Sequence, residues 1–381
     1  MIPRRIRVLI ADDSILFRKM IREALSREPD YEFVGVVRDG MDVLEKIKQF
    51  EPDLVTLDLG IPVLSGIDVL REIRRQGLQT NVLVVSAMTE DEVDTSLEAL
   101  RLGAYGIAVK PTGGNATENC AGLKSVLASK FAAFRLLHVR LTAVSTGENA
   151  ALEDQGGQVT HQSESNGAGL TAMCGKNPSR FRKQRQGALS VVVIGTSTGG
   201  PEALRSVLPA IPWDFPFPVL VVQHMPKGFT ASLADSLDGI CPVNVAEAAH
   251  GDLVEPGRIL IAPGGEHMKL RRQGNSVIVE LTTDAPEHHC RPSVDVLFRS
   301  AVDVYGAGTL GIIMTGMGED GAEGCRLIKN AGGSVIAQDE ESCVVFGMPR
   351  LPVEEGIADA VVPLSELTSE MLEFMRAEAC V

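Results

Sequence analysis

The chain of 381 residues is 44% hydrophobic and 23% charged, and its formal net charge is −14. This length predicts two or three domains, and the acidic balance argues against a general nucleic-acid-binding surface, because phosphate contacts need clustered Lys and Arg. The apolar runs are far shorter than the roughly 20 residues of a membrane span. Seven scattered cysteines without a C-x-x-C pair favour neither a disulfide framework nor a thiolate metal site, and we expect a cytoplasmic protein.

Residues 6–110 alternate short apolar runs with amphipathic segments. The apolar runs are IRVLIA (6–11), FVGVV (33–37), LVTLD (54–58), NVLVVS (81–86) and YGIAV (105–109). Five strands that alternate with helices predict a parallel sheet covered on both faces. A further stretch, roughly 118–141, has apolar residues near helical spacing and predicts one more helix.

Polar side chains follow these strands at one edge of the predicted sheet. Asp12 and Asp13 follow the first strand, Asp58 the third, Ser86 the fourth and Lys110 the fifth. Reactive residues gather beyond the carboxyl ends of open parallel sheets, so we expect three carboxylates to converge there on a divalent cation. An all-oxygen site suits Mg²⁺, and Lys110 and Ser86 can hold phosphoryl oxygens. The pattern predicts phosphoryl transfer onto Asp58 as the nucleophile.

Residues 5–122 resemble a two-component receiver domain through the stretches IADDS, LDLGIP, VVSAM and VKP. The resemblance implies a flavodoxin-like fold, phosphorylation of Asp58 and a histidine kinase as the phosphodonor. Two positions depart from the receiver pattern. Gly60 stands where receivers often carry Asn or an acidic side chain, and Ile107 stands where many carry an aromatic switch residue. Because Ile cannot flip as an aromatic ring does, we do not expect the aromatic part of the usual switch here.

The segment from about 142 to 187 loses this periodicity. It is rich in Gly, Ser, Gln, Asn and Glu, which predicts a flexible linker. Its basic run at 176–185 is interpreted as a solvated tether, with a contact to an acidic partner as the alternative. Residues 188 to about 375 return to an α/β pattern, and we expect a second, doubly wound α/β sheet. The strand candidates of this half are LSVVVIG, FPVLVVQ, RILIAP, SVIVEL, TLGIIMT and SVIAQ.

The stretch VVVIGTSTGGPEAL (191–204) predicts a strand, a glycine-rich turn and a helix, with Ser197 at the corner. Its GTSTG matches G-x-S-x-G, the pattern of the nucleophilic serine of α/β-hydrolases. His224 ends the strand PVLVVQ, and Asp320 follows a glycine-rich turn in IIMTGMGEDG. The order Ser, His, Asp is unlike that of the common hydrolases, but a triad is defined by geometry rather than by order.

Two other interpretations of this half are weaker. GMGEDG (316–321) matches G-x-G-x-x-G, and Asp339 lies about 18 residues further on, which is close to the dinucleotide-binding fingerprint. However, its two carboxylates would lie beside the pyrophosphate, and only about 40 residues follow Asp339. The potential metal ligands His288, His289 and Cys290 are adjacent, and neighbouring side chains on an extended segment point to opposite faces, so we expect no metal there.

The second half resembles the catalytic domain of the chemotaxis protein-glutamate methylesterases. The matching stretches are IGTSTGGPEAL, VVQHMPKGFT, IAPGGEHM, RPSVDVLF, IMTGMGEDG and SCVVFGMPR. The resemblance implies that Ser197 is the nucleophile, His224 the general base and Asp320 the residue that orients the base. It also implies that the backbone N–H groups of Thr198 and Met317 stabilise the oxyanion, and that the esterase needs no cofactor.

Together, the two resemblances imply a phosphorylation-controlled enzyme that hydrolyses glutamate γ-methyl esters on chemoreceptors in chemotaxis adaptation, and some relatives also deamidate receptor glutamines. The expected organisation is a receiver (5–122), a helix and flexible linker (123–187) and a methylesterase domain (188–375). The unphosphorylated receiver is expected to block the esterase cleft, incompletely because the tether is long. The alternatives are a receiver-linked hydrolase of small esters and a receiver-controlled binding module without catalysis.

Overall fold

The structure, a computed structural model, describes residues 4–87, 90–110, most positions of 122–138, and 190–376. Within these ranges the chain forms two α/β units, as the sequence predicts. The predicted linker at 142–187 lies outside the described residues. No helix within the described ranges has the length and apolarity needed to cross a membrane.

The first unit is a five-stranded, all-parallel sheet in the order β2-β1-β3-β4-β5 with helices on both faces. All five predicted strands are present, although β2 begins two residues earlier than predicted. A fifth helix, α5, is described at most positions of 122–138. The other elements are β1 (Ile6–Ala11), α1 (Ile15–Leu25), β2 (Tyr31–Val37), α2 (Gly40–Phe50), β3 (Leu54–Leu57), α3 (Gly66–Gln76), β4 (Asn81–Ser86), α4 (Glu90–Arg101) and β5 (Gly106–Val109).

Local signals in the sequence set the helix bounds of this unit. In α3, the Ser65 side chain accepts a hydrogen bond from the backbone N–H of Asp68 at 3.2 Å, which caps the first turn. The helix ends at Gly77, whose φ of 63° lies in the left-handed region that glycine adopts without steric strain. The strand-to-helix connections therefore remain short, and the strand ends lie together at one edge of the sheet.

The second unit is a seven-stranded parallel sheet in the order β14-β13-β12-β6-β7-β9-β8, with a separate antiparallel hairpin of β10 and β11. Its strands are β6 (Val191–Thr196), β7 (Val219–Gln223), β8 (Asn244–Glu247), β9 (Arg258–Ile261), β10 (His267–Gln273), β11 (Ser276–Thr282), β12 (Thr309–Ile313), β13 (Ser334–Gln338) and β14 (Ala360–Val362). Its helices are α6 (Gly200–Val207), α7 (Phe229–Asp238), α8 (Val294–Tyr305), α9 (Ala322–Asn330), α10 (Arg350–Glu354) and α11 (Leu367–Arg376).

Alternate residues of the central strand β6 enter two different cores. Val192 and Ile194 pack into the core on one face of the sheet, whereas Val191 and Val193 pack into the core on the other. A strand that is buried on both faces is a continuous apolar run, because successive side chains point to opposite sides. The doubly wound architecture is therefore confirmed.

Three strands of the second unit were not predicted. β8 and β14 are the two edge strands of the main sheet and have only four and three residues. β10 was overlooked, and its partner β11, predicted as the strand SVIVEL, belongs to the hairpin rather than to the main sheet. The hairpin turns at Gly274, which has a φ of 61°.

The two units contact each other through α4 and α7. Val93 and Leu97 of α4 form one buried apolar cluster with Phe229, and Phe229 is fully buried. Beside this cluster the Arg101 guanidinium donates a hydrogen bond to the Ser236 hydroxyl. The contact brings β5 and α5 of the first unit over the carboxyl ends of β6 and β7.

Candidate active site

Ser197 lies on the predicted corner between β6 and α6. Its backbone N–H donates to the Thr315 carbonyl at 3.0 Å, and its own carbonyl accepts from the Gln223 side chain at 2.8 Å. Gly199 has a φ of 82°, and a Cβ there would lie 2.7 Å from Cβ of Val344. Only glycine fits this turn, so the corner holds Ser197 at the end of the sheet.

The ring of His224 is fixed by Asp320, a carboxylate that is 1% exposed. Nε2 of His224 lies 2.7 Å from Oδ2 of Asp320. The same carboxylate accepts hydrogen bonds from the Ser293 hydroxyl at 2.8 Å and from the backbone N–H groups of Val294 and Asp295 at 2.8 and 3.0 Å. Burial alone would raise the pKa of Asp320, but the bonds from His224 and these N–H groups hold it below its usual value. Asp320 is therefore ionised and oriented towards the ring.

The second ring nitrogen of His224 faces a thiol. Nδ1 lies 3.6 Å from Sγ of Cys290, and Ser197 Oγ makes no hydrogen bond within the described part of the chain. Burial lowers the pKa of His224, but the hydrogen bonds to Asp320 and Cys290 raise it by more, to about 9. In this conformation the ring is therefore largely protonated at neutral pH and cannot accept a proton from Ser197.

A cavity of about 340 Å³ connects these groups and lies between the two units. Ser197, His224 and Cys290 line one side of the cavity, and Ile107 of β5 and Lys130 of α5 line the other. The first unit therefore covers Ser197 in this structure.

The glycine-rich turn at 316–321 runs directly beside Ser197. A Cβ on Gly316 would lie 2.9 Å from Cβ of Ser197 and 2.2 Å from Sδ of Met348. Thr198 directly follows Ser197 in the chain and is buried, and Met317 is part of the glycine-rich turn. Both residues therefore contribute backbone next to Ser197. The weaker dinucleotide interpretation gains no support, because Met348 packs against this turn and the carboxylate of Asp339 accepts hydrogen bonds from Ser342 at 2.6 and 2.9 Å.

The extended conformation predicted for residues 288–290 is wrong. His288 and His289 have φ values of 50° and 62°, in the left-handed region that non-glycine residues rarely adopt. Nε2 of His288 lies 3.0 Å from Oδ2 of Asp295, while Cys290 turns towards His224. His288 and Cys290 therefore face different partners.

In the first unit, the ligand atoms of Asp12, Asp13 and Asp58 lie within 4.8 Å of one another at the predicted edge of the sheet. Nζ of Lys110 lies 2.7 Å from Oδ2 of Asp58 and 2.9 Å from Oδ2 of Asp12. Burial raises the pKa of Asp12 in spite of Lys110, and the charge of Asp58 adds to this. Three hard oxygen ligands beside a single bridging ammonium form a donor set that suits Mg²⁺.

The remaining predicted residues of this unit lie around that cluster. Ser86 is buried, and its hydroxyl donates to the Ala87 carbonyl at 3.3 Å. The backbone N–H of Gly60 donates to Oδ1 of Asp58 at 3.2 Å, and the position of its missing Cβ has only this oxygen nearby. Ile107 packs against the interdomain cluster of α4 and α7.

Comparison with known proteins places the whole chain in one family. The model of the CheB methylesterase family matches residues 192–371, and that of the response regulator receiver domain matches residues 8–119. A protein-glutamate methylesterase/protein-glutamine glutaminase of Desulfotalea psychrophila is 37% identical over 376 residues, 98% of this chain and 99% of its own. One from Bordetella avium is 40% identical over 375 residues, 98% of both chains.

The chain belongs to the CheB methylesterase family. Two solved structures from Thermotoga maritima are similar to its halves. The CheB methylesterase catalytic domain is 45% identical and covers 49% of this chain and 98% of its own, with a TM-score of 0.48. The CheB response regulator domain is 35% identical and covers 32% of this chain and 92% of its own, with a TM-score of 0.30. The two family-model matches and the full-length relatives identify this CheB family member as a receiver-linked hydrolase.

Three residues of the site in this CheB family member were not assigned to it from the sequence: Gln223, Ser293 and Cys290, which was considered only as a metal ligand. Gln223 precedes His224 at the end of β7 and could have been suspected from that position. Ser293 is the N-terminal flanking residue of α8, where serine is common. Cys290 reaches His224 only because of the left-handed residues before it, and nothing in the local sequence predicts that backbone.

Proposed function

We propose that this chain hydrolyses glutamate γ-methyl esters on chemoreceptors, with Ser197 as nucleophile, His224 as general base and Asp320 as the carboxylate that orients the base. The observation that carries the proposal is the 2.7 Å contact between His224 Nε2 and the buried Asp320, beside a serine fixed at the end of β6. The substrate comes from the names of relatives that match over nearly the full length.

In the proposed reaction, Nδ1 of His224 takes the proton of Ser197 while Oγ attacks the ester carbonyl. The oxyanion accepts hydrogen bonds from the backbone N–H groups of Thr198 and Met317, each worth about 3 kcal/mol in the transition state. Methanol leaves with the proton held by His224, and water then hydrolyses the acyl-enzyme to restore Ser197 and a glutamate carboxylate. With a receptor glutamine, the same steps release ammonia instead of methanol.

Receiver control is the second part of the proposal. Asp12, Asp13 and Asp58 would hold Mg²⁺, which neutralises charge on phosphoryl oxygens when bound, and Asp58 accepts the phosphoryl group from a chemotaxis histidine kinase. Lys110 and Ser86 then hold the phosphoryl oxygens. We propose that the chain acts in the cytoplasm, where such phosphodonors work.

The described conformation supports a closed resting state. The first unit covers Ser197, and Nδ1 of His224 faces Cys290 rather than Ser197. Phosphorylation acts only through its different effects on the closed and open states, and each tenfold shift in their ratio needs about 1.4 kcal/mol. In the open state, substrate replaces the first unit at the cavity and Nδ1 of His224 engages Ser197.

The test is methanol release from methylated receptor membranes by the wild type and by Ser197→Ala, each with and without acetyl phosphate and Mg²⁺. We expect methanol release that requires Ser197 and increases with the phosphodonor. Asp58→Asn should keep the basal release but lose the increase. Release that ignores the phosphodonor would overturn receiver control. Absence of release from either protein would favour a binding module, and equal turnover of a small free methyl ester would favour a generic acyl hydrolase.

A further inference from the structure

Cys290 occupies, relative to His224, the place that a nucleophile takes in a catalytic triad. Its Sγ lies 3.6 Å from Nδ1 of His224, while Nε2 of the same ring is held by Asp320 at 2.7 Å. A thiol beside a histidine that is itself held by a carboxylate is the arrangement found in cysteine nucleophiles, and the thiolate is the reactive form of cysteine. The three side chains therefore form a Cys-His-Asp relay beside the proposed Ser-His-Asp triad.

The cavity offers further groups to a ligand bound at this thiol. Lys130 of the first unit lines the cavity with Cys290. Burial lowers the pKa of Lys130, whereas the negative charge of a Cys290 thiolate raises it, so the two groups interact electrostatically. Gln223 also lines the cavity and is 1% exposed, and its Oε1 has no hydrogen-bond partner in the described part of the chain. A small anionic ligand thus finds a cation, Lys130, on the same cavity wall as the thiol, whereas the Gln223 oxygen can only accept a hydrogen bond from a donor group of the ligand.

The other cysteines that the structure describes lie in environments that disfavour a thiolate. Cys325 is fully buried among apolar side chains, and burial raises its pKa. Burial also raises the pKa of Cys241, to about 11, and nearby Asp238 adds to the effect. Cys343 is buried as well. Within the described ranges, Cys290 is thus the cysteine that combines solvent access with a histidine contact.

We propose that Cys290 is a modification site for small anionic disulfides and that its modification switches the esterase off. The Sγ proton passes to water, the positively charged ring of His224 stabilises the resulting thiolate, and the thiolate attacks one sulfur of the disulfide. A Cys290 mixed disulfide forms as the S–S bond of the reagent breaks, and the leaving thiolate carries away the electron pair and takes up the proton. Cys290 is thereby oxidised and half of the reagent is reduced. The adduct fills the space beside Ser197, and this inhibitory effect rests on the proposed function.

The experiment uses the full chain with Cys120, Cys174 and Cys380, which lie outside the described residues, replaced by Ser. The probes are two small disulfides of opposite charge, dithiodiglycolate and cystamine, and peptide mass mapping gives the rate at each cysteine. Cys241, which is also partly exposed, serves as the internal control. We expect Cys290, which contacts His224, to react at least about tenfold faster than Cys241, because burial raises the pKa of the Cys241 thiol to about 11.

Two variants distinguish activation of the Cys290 thiol by its neighbours from reactivity that depends only on solvent exposure. His224→Gln should slow modification of Cys290 about tenfold without changing that of Cys241, and Lys130→Gln should remove the preference for dithiodiglycolate over cystamine. Thermal unfolding checks that both variants fold. Equal rates at Cys290 and Cys241, or unchanged reactivity of Cys290 in His224→Gln, would overturn the proposal.

Methanol release after removal of the reagent tests the inhibition. We expect activity to fall in proportion to modified Cys290, to return with dithiothreitol, and to be insensitive to treatment in Cys290→Ser relative to its own untreated rate. Full activity of the modified protein would overturn the proposal that modification of Cys290 inhibits the esterase. An untreated wild type that releases no methanol would instead contradict the proposed esterase, and the modification rates would still decide whether Cys290 is the reactive thiol.

Discussion

Nε2 of His224 lies 2.7 Å from a carboxylate oxygen of Asp320, and that carboxylate accepts three further hydrogen bonds from Ser293, Val294 and Asp295. The carboxylate is thus held by the start of α8, and the ring is held by the carboxylate. Because the bond occupies Nε2, the tautomer that can serve as a base towards Ser197 carries its proton on Nε2 and leaves Nδ1 free.

The first prediction concerns this tautomer. Asp320→Asn should lower kcat for methanol release by about 10⁴-fold, because an amide cannot stabilise the imidazolium and can favour the wrong tautomer. KM should change much less, since Asp320 does not line the cavity. Asp295→Asn is the matched control, because Asp295 is also a buried carboxylate but contacts His288 and the backbone N–H of Gly324 rather than His224. An equal loss in both variants, accompanied by unfolding, would assign Asp320 a structural role only.

The pH dependence of the resting enzyme follows from the pKa of His224, which is raised to about 9. A base acts when deprotonated, so basal activity should rise with pH through about 9. Within the described part of the chain, Asp320 and Cys290 bond the ring, and Lys130, Arg291, His289 and Tyr105 are the other charged or titratable groups that line its cavity. Cys290→Ala removes one of the two hydrogen bonds that raise the pKa, and the acidic limb should move to lower pH. The measurement is methanol release as a function of pH, with the Ser197→Ala rate subtracted. An acidic limb at the same pH in Cys290→Ala and the wild type would contradict the assignment of this limb to His224.

The grouping of site residues at the carboxyl ends of the strands was predictable, because a parallel sheet gathers these ends at one edge. Asp12, Asp58 and Lys110 meet as this rule requires, and so do Ser197 and His224 across neighbouring strands β6 and β7. The elements that escaped prediction have weaker local signals. The short edge strands have too few residues to show a period, although the alternation of Met268 and Leu270 with charged residues in β10 was visible.

Contacts between the two units could not be predicted in the same way. The sequence shows amphipathic helices, but the partner of an apolar face depends on how the units dock. Leu97 of α4 and Phe229 of α7 belong to one buried cluster although they lie in different units. The thiol of Cys290 likewise reaches His224 through an unusual backbone conformation that no residue of HHC specifies. Docking and backbone strain are properties of the folded chain.

The interdomain cluster leads to the third prediction. Leu97→Asp should raise basal methanol release without a phosphodonor, because a carboxylate buried against Phe229 penalises only the closed state. A penalty of about 1.4 kcal/mol suffices for a tenfold change in the ratio of open to closed molecules. Met41→Asp is the control, since Met41 lies on α2 and is 57% exposed. If Leu97→Asp left basal release unchanged while remaining folded, the cluster would not hold the resting state.

A fourth prediction tests the glycine-rich turn beside Ser197. In Gly316→Ala, the new methyl group would lie 2.9 Å from Cβ of Ser197 and 2.2 Å from Sδ of Met348, so one of them must move. Overpacking of this kind lowers the free energy of unfolding by about 1–3 kcal/mol, and the displaced serine should lower kcat. Gly239→Ala is the matched control, because the nearest atom to a Cβ at that position is the Asp235 carbonyl oxygen, 3.7 Å away. Normal kcat in Gly316→Ala would show that the turn does not position Ser197.

The last prediction concerns the acidic cluster of the receiver. Mg²⁺ should raise the melting temperature of the first unit, because an ion that binds only the folded state stabilises it by about 2.7 kcal/mol at 100 times its Kd. Asp13→Asn removes one of three carboxylates without disturbing the ion pairs of Lys110 with Asp12 and Asp58. It should therefore abolish the Mg²⁺ shift while leaving the melting temperature without metal nearly unchanged.

Asp94→Asn, at an exposed position of α4, serves as the control and should retain the full shift in melting temperature. Excess EDTA should reverse the shift in the wild type, and Ca²⁺ should reproduce it less well, since three oxygen ligands leave several positions to water, as Mg²⁺ prefers. A shift of equal size in Asp13→Asn and Asp94→Asn would mean that Mg²⁺ acts through general charge screening. The cluster of Asp12, Asp13 and Asp58 would then not be the metal site that phosphorylation of Asp58 requires.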